Sequence, residues 1–122
     1  MKTKNKKIKG NLLIAEFMGG KFTLIKSHTP NVNFKKHPRQ DRNFNNNDIH
    51  PKFLSYHKSW DWLMPVIKKI ESMGFYVSIM KSNITCCKDG GISPVFEEYD
   101  YKDKLETTWL AVTAFIKWYN KQ

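Results

Sequence analysis

The stretch SWDWLMPVIKKIESMGF, residues 59–75, limits what this chain can fold into more than any other. Trp62, Leu63, Val66, Ile67, Ile70 and Met73 recur at helical spacing and form one apolar face. Ser59 or Asp61 offers a short side-chain oxygen to the free amides of the first turn, and Gly74 stops the helix. Pro65 fits if the helix begins at Asp61, because a proline in the first turn removes an amide with little or no intrahelical partner; an earlier start predicts a kink. A helix with one apolar face must bury it against a second layer, so the rest of the chain has to supply one.

Two further helices and several strands can do so. Residues 5–18 place Ile8, Leu12, Ala15 and Met18 on one stripe, widened by Leu13, Ile14 and Phe17, before Gly19 and Gly20 end the helix. Gly10 weakens that helix locally. KFTLIKS, residues 21–27, is short and rich in β-formers, and as a strand it lays Phe22 and Leu24 on one face. FYVSIM at 75–80 alternates like a strand. NITCCK and ISPVFEEY flank Asp89-Gly90-Gly91, a hairpin signal in which Pro94 pushes the last strand to a sheet edge. Asp103 and Glu106 have capping-box spacing ahead of the stripe Leu105, Trp109, Val112, Ile116 and Tyr119. The expected fold is α+β, a small antiparallel sheet packed with three helices in the order α-β-α-β-β-β-α. At 122 residues, with no repeat and no second boundary, one domain is expected over 1–122.

Between the first strand and the central helix lies HTPNVNFKKHPRQDRNFNNNDIHPK, residues 28–52, with three prolines, six asparagines and no aliphatic run. It reads as a long basic loop, and loops of this length in small domains are commonly functional or mobile. Its cations Lys35, Lys36, Arg39 and Arg42 are flanked by Phe34 and Phe44, the composition of a surface that holds phosphates and stacks bases. The formal charge of +10 is unevenly placed: thirteen Lys/Arg face Glu16, Asp41 and Asp48 through residue 60, whereas eight Lys face eight acids afterwards. Such asymmetry points to an anionic partner met by the N-terminal half. A soluble protein with a basic tail and a solvated loop is the plainer reading.

Positions two apart on a helix face different directions, so Trp62 joins the core and Trp60 is left outside. Trp60, with Tyr56 and His57 just upstream, extends the candidate ligand-binding set. His57 and Asp61 are spaced to meet as a base and its orienter, but no serine or cysteine is tied to them as a nucleophile. His28, His37, His50 and His57 show no metal-ligand spacing to one another or to a cysteine. Cys86 and Cys87 are adjacent, so on a strand they point to opposite faces and do not pair with each other; Cys86 reads as a small core residue. No phosphate-binding glycine loop, dinucleotide fingerprint or paired carboxylates occur. Catalytic residues, metal and cofactors are therefore not expected. Glu97, Glu98 and Asp100 suit the solvent side of an edge strand.

LIAEFMGG at 13–20, YHKSWDWLMPVIKKIE at 56–71 and AFIKWYNKQ at 114–122 resemble segments of functionally uncharacterised small proteins from bacteroidete bacteria and their phages. The resemblance covers the three helices and little of the basic loop. It implies a short α+β protein ending in an amphipathic helix, often carried by phages or prophages, and it implies no catalytic residue.

The basic start MKTKNKKIKG leads into an apolar stretch that contains Glu16 and lacks a cleavage signature, and no run approaches a membrane span. A cytoplasmic, non-enzymatic protein is expected, binding nucleic acid or a nucleotide. The alternative is an interaction or inhibitor module docking on an acidic host protein.

Overall fold

The computed structural model describes residues 2–25, 29–33, 48–80, 83–88, 94–99 and 103–122. Among them, three helices and two three-stranded antiparallel sheets make an α+β fold. Helix α1 spans Lys2–Phe17, followed by strands β1 (Lys21–Ile25), β2 (Thr29–Asn33) and β3 (Asp48–Ile49) and a single 3-10 turn at Pro51–Phe53. Helix α2 (Trp60–Ser72), strands β4 (Phe75–Ile79), β5 (Asn83–Lys88) and β6 (Pro94–Tyr99), and helix α3 (Lys104–Asn120) complete the order.

The α+β expectation stands, but the single sheet does not: β1-β2-β3 and β4-β5-β6 are separate sheets. The expected loop over 28–52 is also corrected, because its two ends are strands. Val32 pairs with Phe22 on one side and Ile49 on the other, so backbone pairing holds a segment with little apolar pattern of its own. Pro30 sits opposite Leu24 at the end of β2 that the two-residue β3 does not reach, so its missing amide is not needed on a second flank. The second sheet follows expectation: β6 is an edge strand, and Pro94 lies opposite Cys87 beside an irregular register at Cys86/Cys87.

Helix α2 begins at Trp60, one residue earlier than expected, with Ser59 as an extended N-cap residue whose side chain makes no cap hydrogen bond. Pro65 thus falls beyond the first turn, where it can donate nothing to the carbonyl of Asp61. Five residues of the predicted face, Trp62, Leu63, Val66, Ile67 and Ile70, are buried, whereas Met73 is the C-cap residue and only half-buried. Gly74 takes a positive φ of 95° as its amide bonds the Glu71 carbonyl at 3.2 Å, closing the helix. At α3, Asp103 caps as predicted, accepting from the amides of Leu105 at 2.9 Å and Glu106 at 3.3 Å.

The buried face of α1 differs from the predicted stripe. Gly10, Asn11, Ile14 and Ala15 are buried, while Ile8, Leu12 and Leu13 are only half-buried. A glycine and an amide face α3 because Trp109 occupies that space: a Cβ on Gly10 would stand 2.7 Å from the indole Cη2. The C-terminal end of α1 is held by Lys69, whose Nζ donates to the Phe17 carbonyl and lies 4.6 Å from the Phe17 ring centroid. Around it Phe115 meets Phe75 edge-on at 4.9 Å and stacks on Tyr119 at 5.9 Å. One apolar cluster joins residues of all three helices with Val32, Ile49 and Cys86 from the two sheets.

Candidate functional site

The best-defined polar arrangement lies where α1, the 51–59 segment and α3 meet. Asn11, 1% exposed, is its centre. The Trp109 Nε1–H donates to Asn11 Oδ1 at 2.8 Å, Asn11 Nδ2 donates to the Leu54 carbonyl at 3.0 Å, and Nδ2 also lies 2.7 Å from His57 Nδ1. Donor inventory fixes the orientation. An indole nitrogen only donates and a carbonyl only accepts, so the amide cannot be flipped, and the two Nδ2 hydrogens are left for the Leu54 carbonyl and His57 Nδ1. His57 Nδ1 must then accept, which makes the ring neutral with its proton on Nε2.

The Trp109 ring also packs edge-on against His57 at 6.5 Å. Lys7 lies one helical turn before Asn11 and so on the same side of α1. Among the described residues, it and Lys58 are the charges that act on the imidazole. Burial, then Lys7, then Lys58 push the His57 pKa below its ordinary 6.5. His57, expected as a partner of Asp61, is thus engaged by Asn11 and lies within the field of Lys7 and Lys58; Asp61 is exposed. Lys58 is exposed and Lys7 half-buried.

Trp60 is 36% exposed at the start of α2, three residues beyond His57, whereas Trp62 is buried and packs edge-on against Tyr56 at 5.1 Å. The separation of the two tryptophans is as predicted. Tyr56 is a correction: it is fully buried in the core and cannot present its ring to a ligand, and burial raises its pKa. Of the predicted residues, His57 and Trp60 therefore remain at the surface, joined by Lys7 and Lys58, which sequence reasoning did not single out. Asn11 was missed as well; the signal for it was the Gly-Asn pair interrupting an apolar stripe. Lys35, Lys36, Arg39, Arg42, Phe34 and Phe44 lie outside the described residues.

Cys86 and Cys87 are buried and unpaired, and burial pushes the Cys86 thiol up to about 12, which suits a packing role rather than a nucleophile. Among the described residues no group of three or more His, Cys, Asp or Glu could hold a metal ion, and no helix is long and apolar enough to cross a membrane. A groove of about 780 Å³ runs along α2, lined by Met18, Met64, Pro65 and Ile67 with Lys68 and Glu71. Another of about 510 Å³ lies between α1 and β1, with Leu12, Leu13, Phe22 and Val32 between Lys9 and Lys21. Neither is lined by His57, Lys58 or Trp60.

No family model matches the chain, and no curated protein or solved structure is significantly similar to it.

Proposed function

We propose that this is a non-enzymatic, cytoplasmic binding protein, of the phage-associated kind its helices resemble, that engages nucleic acid or a nucleotide through its basic N-terminal half. The observation that carries the reading is the gathering of Lys7, His57 and Lys58 with exposed Trp60 nearby in sequence. Cations together with an exposed indole on the same half of the chain are the parts that hold a phosphate and stack a base.

The lysines of α1 support it further. Lys2, Lys4, Lys6, Lys7 and Lys9 occupy the N-terminal half of a helix whose first turn carries no acid. Positive charge is the wrong sign for that end of the helix dipole and costs a few tenths of a kcal/mol per group. A bound anion relieves both the dipole and the mutual repulsion. The basic segment with Lys35, Lys36, Arg39 and Arg42 adds to the same positive excess.

Fluorescence anisotropy of a labelled single-stranded oligonucleotide tests the reading, with mononucleotides as competitors. Affinity should fall steeply as salt rises, since each neutralised phosphate releases counterion. Lys7→Glu with Lys58→Glu should weaken binding, and Trp60→Ala should weaken it further at high salt, where stacking dominates. Absence of binding at low salt overturns the proposal. The groove along α2, with exposed Met64, favours the second reading, a protein partner of acidic character; such an association survives nuclease treatment.

A further inference from the structure

We propose that His57 is a proton-operated latch: its neutral ring ties the lysine-rich half of α1 to the 51–59 segment and to α3, and its protonation opens that seam. The inference is independent of the partner's identity, because it follows from hydrogen-bond valence within the protein.

Asn11 has one acceptor and two amide hydrogens to place. Trp109 uses the acceptor, and the Leu54 carbonyl and His57 Nδ1 use the hydrogens. Every group of this buried amide is satisfied only while Nδ1 carries no proton. Adding one sets two N–H groups head-on at a contact now 2.7 Å long, and Asn11 cannot turn over without breaking its bonds to Trp109 and Leu54. The ring must then swing out, leaving a buried amide hydrogen unpaired. Among the described residues, the groups that act on the ring give the proton no compensation. Lys7 from α1 and Lys58 from the same segment are both positive, α3 presents the uncharged Trp109, and the 51–54 turn presents a carbonyl already in use.

The direction of the pH dependence follows. The folded ring holds its proton more weakly than the unfolded chain does, so the unfolded state binds more protons just below pH 6.5. The stabilisation from His57 is complete above 6.5 and is lost as pH falls through the lowered folded value. Because Asn11 lies at the end of the lysine-rich turns, opening here frees those turns first, while Ile14 and Ala15 keep the rest of α1 in the core.

Comparison of the wild type with His57→Asn tests the latch, since asparagine places an acceptor at the same δ position but does not titrate. Between pH 7.5 and 5.5 the wild-type Tm should drop by about 3 °C or more beyond any drop in the variant. His28, His37 and His50 are common to both proteins and cancel in the comparison. Nitrogen NMR of the wild type gives the second readout: at neutral pH Nδ1 of His57 should be the unprotonated ring nitrogen. On its titration, amide exchange should quicken around residues 7–11 and 54–58 ahead of α3. A protonated Nδ1 at neutral pH overturns the proposal, as does a His57→Asn protein that loses Tm in acid as the wild type does. If the variant does not fold, titration of His57 without any change in exchange at those amides is the overturning result.

Discussion

The Trp109 indole donates to the Asn11 carboxamide at 2.8 Å across the interface of α3 and α1, and both residues are almost wholly buried. The bond spans 98 positions of sequence, so it is formed only when the two ends of the chain come together. Trp109→Phe keeps most of the apolar area but leaves Asn11 Oδ1 without its donor. An unsatisfied buried acceptor costs about 1–3 kcal/mol. Urea unfolding should show that loss as a lowered midpoint with an unchanged m value; a change below a few tenths of a kcal/mol would mean that solvent reaches the carboxamide.

Gly10 tests the same contact from the other side. In an exposed helix, glycine to alanine stabilises by about 1 kcal/mol through propensity alone. Here the added methyl meets the Trp109 ring, which is itself pinned by its bond to Asn11. Overpacking of this kind costs about 1–3 kcal/mol, so Gly10→Ala should destabilise the protein despite better helix propensity. The sign alone decides: a higher Tm in the variant refutes the close packing of α1 on α3. Coupling to Trp109→Phe in a double-mutant cycle should be non-zero, since the two residues touch.

The three helices were legible because their apolar residues recur at helical spacing and their ends carry chemistry of their own, Gly74 at one and Asp103 at another. Of the first sheet only β1 was, since KFTLIKS is rich in β-formers. That sheet's central strand TPNVN has one aliphatic residue, and what makes it a strand is pairing with Phe22 and Ile49, a partner 17 positions away in the case of Ile49. Periodicity cannot report a strand specified by its neighbours. The face of α1 was misjudged for a related reason: hydrophobicity favoured Leu12, whereas the shape of Trp109 selected Gly10 and Asn11. Of the candidate site, exposure of Trp60 followed from helical geometry, but the approach of Lys7 to His57 depends on how α1 docks, which no local pattern encodes.

Tyr56 offers a test of opposite sign to the usual core substitution. Its ring is enclosed, and its hydroxyl finds no hydrogen-bond partner among the described residues. Burying a hydroxyl unpaired costs about 1–3 kcal/mol. Tyr56→Phe keeps the edge-on contact with Trp62 and removes the polar atom, so stability should be unchanged or higher by calorimetry. A loss above about 1 kcal/mol would show that the hydroxyl is bonded after all.

The neighbouring tryptophans 60 and 62 should separate stability from binding. Trp62→Ala empties a site in the core against Tyr56 and should cost about 3–5 kcal/mol. Trp60 begins α2 with over a third of its surface exposed, so Trp60→Ala should change stability by about 0.5 kcal/mol or less. If Trp60 serves as a stacking surface, the same substitution should lower affinity for a single-stranded oligonucleotide by about 1–3 kcal/mol, a shift readable by anisotropy at fixed salt. Loss of stability on Trp60→Ala comparable to that of Trp62→Ala would make it a packing residue. Unchanged affinity in a fully folded variant would remove Trp60 from the binding surface and leave the lysines alone to hold the anion.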